Sequence, residues 1–153
     1  MVIRDAEAED ALAACQVLRR SIIELCVSDH RNAPTLLGRW LANKTPENIV
    51  SWITQPGNSV LVAAESGSIL AVGSVTNKGK ITLNYVSPDA RFRGVSRALL
   101  SALEARALEQ GNTQCTLSST GTARQFYQAN DYVKNGEPDS EFGIFGYPMS
   151  KLL

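Results

Sequence analysis

The segment RFRGVSRALL, residues 91–100, places three arginines, a glycine and a serine at the start of an apolar helical run. Cations at a helix N-terminus oppose the helix macrodipole, because its positive end lies there. An anion bound between the cations and the free N–H groups of the first turn removes this conflict. Gly94 has no Cβ and lets the backbone approach a ligand, and arginine side chains bond well to phosphate oxygens. The segment therefore predicts a pyrophosphate site.

The spacing in this segment matches neither the GxxxxGK pattern nor the GxGxxG pattern. It resembles instead the acyl-CoA-binding motif of the GNAT family of N-acetyltransferases, which is Arg or Gln, two residues, Gly, one residue, and then Gly or Ala. Here the motif falls on Arg91, Gly94 and Ser96, where Ser96 departs from the pattern but is still small. The flanking sequences VSPDAR and RALLSALEARA are also similar to that family.

Two further segments resemble the same family. GTARQFYQANDYV (121–133) is similar to its Phe-Tyr helix, and GYPMSKLL (146–153) is similar to its last strand. The resemblance covers the whole chain in the order of its elements, and its specific motifs lie in 81–133. It implies acetyl-CoA as the cosubstrate and an acceptor that is a small-molecule or peptide amine. No metal is expected, because the chain has one histidine, His30, and no ligand cluster around it. The implied CoA-binding residues are Tyr85, Val86, Arg91, Arg93, Gly94, Val95, Ser96, Arg97 and Thr120.

The resemblance also implies a mechanism. A neutral amine attacks the thioester directly, and Tyr127 donates a proton to the CoA thiolate that leaves. A phenol with a pKa near ~10 can act as such a donor at neutral pH. A backbone N–H near Tyr85 or Val86 stabilises the developing oxyanion. Thr120 stands where the family often has an asparagine that contacts CoA, so a hydroxyl replaces an amide there.

The general base is the weakest part of this assignment. The strand ITLNYVS (81–87) has no acid where many relatives have a glutamate, and Asn84 can only orient a water molecule. The other candidates are Glu24, Asp29 and His30, of which His30 has the most suitable pKa. A missing base favours an alternative function, a non-catalytic acyl-CoA-binding or sensing domain, whereas Tyr127 favours an enzyme. A phosphate-binding protein of another kind is a third possibility.

The elements that position these residues follow from hydrophobic periodicity and turn signals. They predict an α/β (α+β) fold, one domain over 1–153, with a mixed, mostly antiparallel sheet flanked by helices. The predicted order is β-α-α-β-β-β-α-β-α-β-β. Strands are expected at 2–6, 59–65, 69–76, 80–87, 113–119, 132–138 and 142–153. Helices are expected at 8–26, from Thr45 to before Gln55, 96–110 and 122–130, with a loop at 27–34, and 35–44 is a candidate for a further short helix that this order does not count.

Composition narrows the class of protein. The chain has 153 residues and 15 basic against 15 acidic residues, and this zero net charge argues against a nucleic-acid partner. No apolar run approaches the ~20 residues of a membrane span, and the acidic start is unlike a leader peptide, so we expect a cytoplasmic protein. Cys15, Cys26 and Cys115 are expected to be buried and reduced. Trp40 and Trp52 are expected in the core or in a homodimer contact.

Overall fold

The computed structural model describes residues 1–141 and 143–153. Its helices are α1 (Ala11–Leu25), α2 (Val27–His30), α3 (Pro34–Leu41), α4 (Pro46–Thr54), α5 (Val95–Glu109) and α6 (Arg124–Ala129). Its strands are β1 (Val2–Asp5), β2 (Asn58–Glu65), β3 (Ser68–Thr76), β4 (Ile81–Val86), β5 (Gln114–Ser119), β6 (Val133–Lys134), β7 (Asp139–Glu141) and β8 (Ile144–Leu152).

The strands form two antiparallel sheets. The first has the order β1-β2-β3-β4, and the second has the order β5-β8-β6, with β7 paired to β8. The sheets meet where the N–H of Thr116 donates to the carbonyl of Gly79 at 3.0 Å, beside a parallel bridge between Lys80 and Thr116. A Cβ on Gly79 would lie 2.5 Å from the carbonyl oxygen of Gln114, so only glycine permits this approach. Beyond this junction β4 and β5 form no further described bridge.

Helices cover both faces of the first sheet. On one face, Leu99 and Leu103 of α5 pack in one buried cluster with Leu61 and Ala63 of β2. On the other face, α1 and α4 pack in a second cluster with Val60, Val62 and Val72. Because both faces are buried, β2 and β3 read as nearly continuous apolar runs rather than as alternating ones.

The structure confirms the predicted fold class and the antiparallel meander of β2, β3 and β4. The prediction of a loop at 27–34 is wrong in part. Val27–His30 is a short helix, and Pro34 begins α3 because its missing N–H is tolerated in the first helical turn. Two closing strands were predicted where the structure has three, the short β6 and β7 and the long β8, and the predicted start at residue 142 lies outside the described residues. The three cysteines are buried and free, as predicted.

Candidate active site

A cavity of about 440 Å³ lies between β4 and β5 beyond their junction. Its walls come from β4, from the ends of α1 and β5, from the loop before α5, and from α6. Arg91 and Arg97 are the charged side chains among its described lining residues, and no aspartate, glutamate or histidine of the described chain lines it. The cavity is therefore a largely apolar channel with a cationic end.

The cationic end is the N-terminus of α5. Gly94 occupies the N-cap position at φ 77°, a left-handed conformation that favours glycine, and no side chain caps the helix. The amide of Ala98 donates to the Gly94 carbonyl at 3.1 Å, so the preceding amides of 95–97 have no helical acceptor. Val95 is buried, so it offers a ligand its backbone alone, and Ser96 lines the cavity. Such a helix start binds anions.

The three arginines of this segment have different positions. Arg91 and Arg97 line the cavity, but Arg93 does not. The guanidinium of Arg93 lies 2.6 Å from a Glu65 carboxylate oxygen, and this contact lowers the pKa of that carboxyl. The structure therefore does not support the predicted pyrophosphate contact by the Arg93 side chain, because its charge is directed to the β2–β3 turn.

The backbone of β4 faces the cavity near the strand's end. The N–H of Ser87 donates to the carbonyl of Leu70 in β3 at 2.7 Å. Successive residues of a strand direct their N–H groups to opposite sides, so the N–H of Val86 is directed away from β3 and into the gap. Tyr85 also lines the cavity, and its hydroxyl accepts a hydrogen bond from the Trp40 indole at 3.3 Å.

Tyr127 and Asn84 meet across the gap. The Asn84 side-chain amide donates to the Tyr127 hydroxyl oxygen at 3.0 Å, and both residues line the cavity. The Tyr127 ring is buried and makes edge contacts with Phe126 and Tyr132, with ring centroids 5.3 and 5.5 Å apart. Burial raises the pKa of Tyr127 to about 12, and the Asn84 hydrogen bond opposes the rise. Because Asn84 donates, the phenolic proton is left for another acceptor.

This geometry agrees with a sequence comparison. The family model for the acetyltransferase (GNAT) domain matches residues 37–153. The chain belongs to the GNAT acetyltransferase family. A comparison with curated protein sequences gives no match.

Solved GNAT structures share the fold over nearly the whole chain. A GCN5-related N-acetyltransferase from Rhodopseudomonas palustris has 24% identity and a TM-score of 0.88, over 99% of this chain and 95% of that one. The PaiA N-acetyltransferase from Thermoplasma acidophilum, solved with coenzyme A, has 17% identity and a TM-score of 0.82, over 99% and 98%. The ribosomal-protein-S18-alanine N-acetyltransferase from Escherichia coli has 15% identity and a TM-score of 0.72, over 99% and 92%.

His30, the sequence candidate for the base of this GNAT protein, is fully buried and packs edge-on against Trp40. Its Nδ1 accepts from the Asn32 amide at 3.0 Å, so its Nε2 carries the proton that is donated to the Ile22 carbonyl at 2.8 Å. Neither ring nitrogen is left to accept a substrate proton. The structure therefore does not support His30 as a general base, and Glu24 is bound to Arg20 at 2.8 Å.

Asp29, the third candidate, bridges the two halves of the site. Its carboxylate accepts from the Gly121 amide at 2.8 Å, and also from the amide and the hydroxyl of Thr122. Ser28 contacts the same Thr122 hydroxyl at 3.2 Å. These contacts tie α2 to the loop between β5 and α6, the helix that carries Tyr127. We call them the Asp29 bridge.

Thr120 begins the same loop. Its hydroxyl accepts from the Ala123 amide at 3.2 Å at the start of α6, and the residue lines the cavity. The sequence indicated neither this hydrogen bond nor the Asp29 bridge, because both depend on how the loop folds back.

Across 1–141 and 143–153, no group of three or more His, Cys, Asp or Glu side chains is placed to hold a metal ion. Within the same residues, no helix has the length and apolar character to cross a membrane.

The Asp29 bridge yields a prediction. Asp29→Asn replaces one acceptor oxygen by an NH₂ group that faces the donors of Thr122, so at least one hydrogen bond is lost. We expect the free energy of unfolding to fall by about 1 kcal/mol, measured by urea denaturation. Asp131→Asn is the matched control, since Asn tolerates the positive φ of 73° there. Equal stability of the two variants contradicts the bridge.

Proposed function

We propose that this protein is an N-acetyltransferase that transfers the acetyl group of acetyl-CoA to a small-molecule or peptide amine. One observation carries the proposal: a single cavity joins the uncapped N-terminus of α5 to the buried hydroxyl of Tyr127. The free amides at the start of α5 can bind a pyrophosphate, and the Tyr127 hydroxyl can donate a proton to a leaving group. The similarity to a PaiA structure solved with coenzyme A supports the same choice of cosubstrate.

The cavity fits the parts of CoA in order. The amides of 95–97 suit the pyrophosphate, with Arg91 and Arg97 supplying charge. The apolar gap between β4 and β5 suits the pantetheine arm, whose amides can pair with the unpaired edge of β4 as an added strand does. Acetyl-CoA supplies the activated thioester for this reaction.

The residues at the far end suit acyl transfer. The N–H of Val86 is directed to where negative charge develops on the carbonyl oxygen as the amine attacks. The carbon–nitrogen bond forms and the carbon–sulfur bond breaks, and Tyr127 gives its proton to the sulfur. The proton lost by the amine nitrogen returns to the Tyr127 oxygen through solvent, so protons balance. Asn84 holds that oxygen in place by a donated hydrogen bond.

No described acid or histidine lines the cavity, so in our proposal the amine reaches the thioester already neutral. The same observation favours the second candidate, a domain that binds acyl-CoA without catalysis. Release of free thiol from acetyl-CoA in the presence of a panel of amines separates the two. Turnover with at least one amine supports the enzyme. Tight binding of acetyl-CoA, with no turnover in the presence of monoamines, polyamines, amino acids or peptides, supports the binding domain.

The arginines provide the first prediction from this proposed function. Arg97→Gln removes a charge-assisted bond to phosphate and is expected to weaken acetyl-CoA binding by about 10- to 100-fold in a calorimetric titration. Arg93→Gln is the matched control from the same loop, because Arg93 is paired with Glu65 outside the cavity. We expect it to change the dissociation constant by less than about threefold. A larger loss at Arg93 than at Arg97 contradicts the assignment.

Tyr127 provides the second prediction. Tyr127→Phe keeps the ring contacts with Phe126 and Tyr132 and removes the donor. We expect turnover to fall by about 10²- to 10⁴-fold with the acetyl-CoA dissociation constant unchanged. Single-turnover kinetics and calorimetry measure the two quantities. Full activity in this variant makes Tyr127 a packing residue.

The pH profile provides the third prediction. An acid catalyst acts while protonated, and a pKa of about 12 keeps Tyr127 protonated throughout the working range. We therefore expect no loss of kcat up to about pH 10, near the ordinary tyrosine pKa. The rise of kcat/KM with pH should instead follow the pKa of each amine tested, because the amine must be neutral. A descending limb between about pH 8 and 10, or a rising limb independent of the amine, contradicts this assignment.

A further inference from the structure

Phe92 has a conformation and an exposure that folding does not explain. Its side chain is 92% exposed, the highest value among the large apolar residues of the described chain. Its φ is 62°, in the left-handed region that disfavours residues with a Cβ. An exposed position with this left-handed backbone conformation suits glycine or asparagine better than phenylalanine. Strained residues of this kind concentrate at ligand sites.

The surroundings of Phe92 indicate the kind of ligand. It lines the same cavity as the N-terminus of α5, at the cationic end. The guanidinium of Arg91 lies 4.6 Å from the centre of the Phe92 ring, a cation–π distance. The ring is thus held beside a charge at the phosphate end of the cavity, with most of its surface in solvent. A flat, uncharged group attached to a phosphate is the complementary ligand.

We propose that the Phe92 ring is the platform on which the adenine ring of acetyl-CoA stacks. The inference rests on the proposed function, which seats the pyrophosphate on the amides of 95–97. The nucleoside then leaves the cavity at the mouth, and Phe92 lies there two residues before the Gly94 cap. Stacking covers the exposed ring and the base together, since every nucleobase offers a π face. Arg91 keeps the ring in position and offers its free N–H groups to phosphate oxygens.

The test compares two acyl donors that differ in the nucleotide. Acetyl-CoA carries the adenine, whereas S-acetylpantetheine has the same thioester and pantetheine arm without it. Phe92→Ala and Phe92→Leu are expected to lower kcat/KM for acetyl-CoA by about 5- to 100-fold, the range found for base–aromatic stacking. Neither variant is expected to change kcat/KM for S-acetylpantetheine. Phe92→Trp restores the platform and is expected to keep acetyl-CoA activity within about threefold of the original protein.

Phe145→Ala is the matched control, because Phe145 is another exposed phenylalanine, 59% exposed, on β8 outside the cavity lining. It is expected to leave both donors unaffected. Equal losses with both donors in the Phe92 variants overturn the proposal and give Phe92 a role in loop shape. No loss with either donor also overturns it, and leaves the ring as a contact for another macromolecule. If the unaltered protein binds no acetyl-CoA, the proposed function fails first, so the two failures are distinguishable.

Discussion

The site depends on the way in which β4 and β5 join and then separate. They approach at Gly79 and Thr116, where a side chain on residue 79 would collide with the Gln114 carbonyl. Beyond that point no strand of the described residues pairs with the edge of β4, so the Val86 amide is left for a ligand. A continuous sheet would satisfy that amide and close the cavity. The junction therefore provides both the space of the cavity and a backbone donor that faces it.

Separated strands need other contacts to fix the distance between them. The hydrogen bond from the Asn84 amide to the Tyr127 hydroxyl connects β4 with α6. The Asp29 bridge connects α2 with the loop between β5 and α6. Each of these contacts joins an element on the side of the first sheet to an element on the side of the second sheet. Tyr127 is further held by the rings of Phe126 and Tyr132, within the core that α5 also packs against. The Tyr127 hydroxyl is thus fixed from two sides.

The parts of the site that the sequence predicted are local in the chain. Gly94 at a strand–loop–helix junction and Tyr127 on a short helix can be recognised from neighbouring residues alone. Two other predicted roles are disfavoured by contacts that the local sequence pattern does not reveal. The Arg93 guanidinium is paired with Glu65, which is 28 residues away. His30 is buried because the Ile22 carbonyl and the Asn32 amide both bind its ring.

Chemical-shift mapping of backbone amides during a titration with CoA tests whether this cavity binds the cosubstrate, because each amide of the cavity reports separately. We expect the largest changes at 94–97 and at Val86, with small changes in β1 and β2 on the far side of the first sheet. Large changes confined to other surfaces, or no saturable change with CoA, would contradict the claim that this cavity binds the cosubstrate.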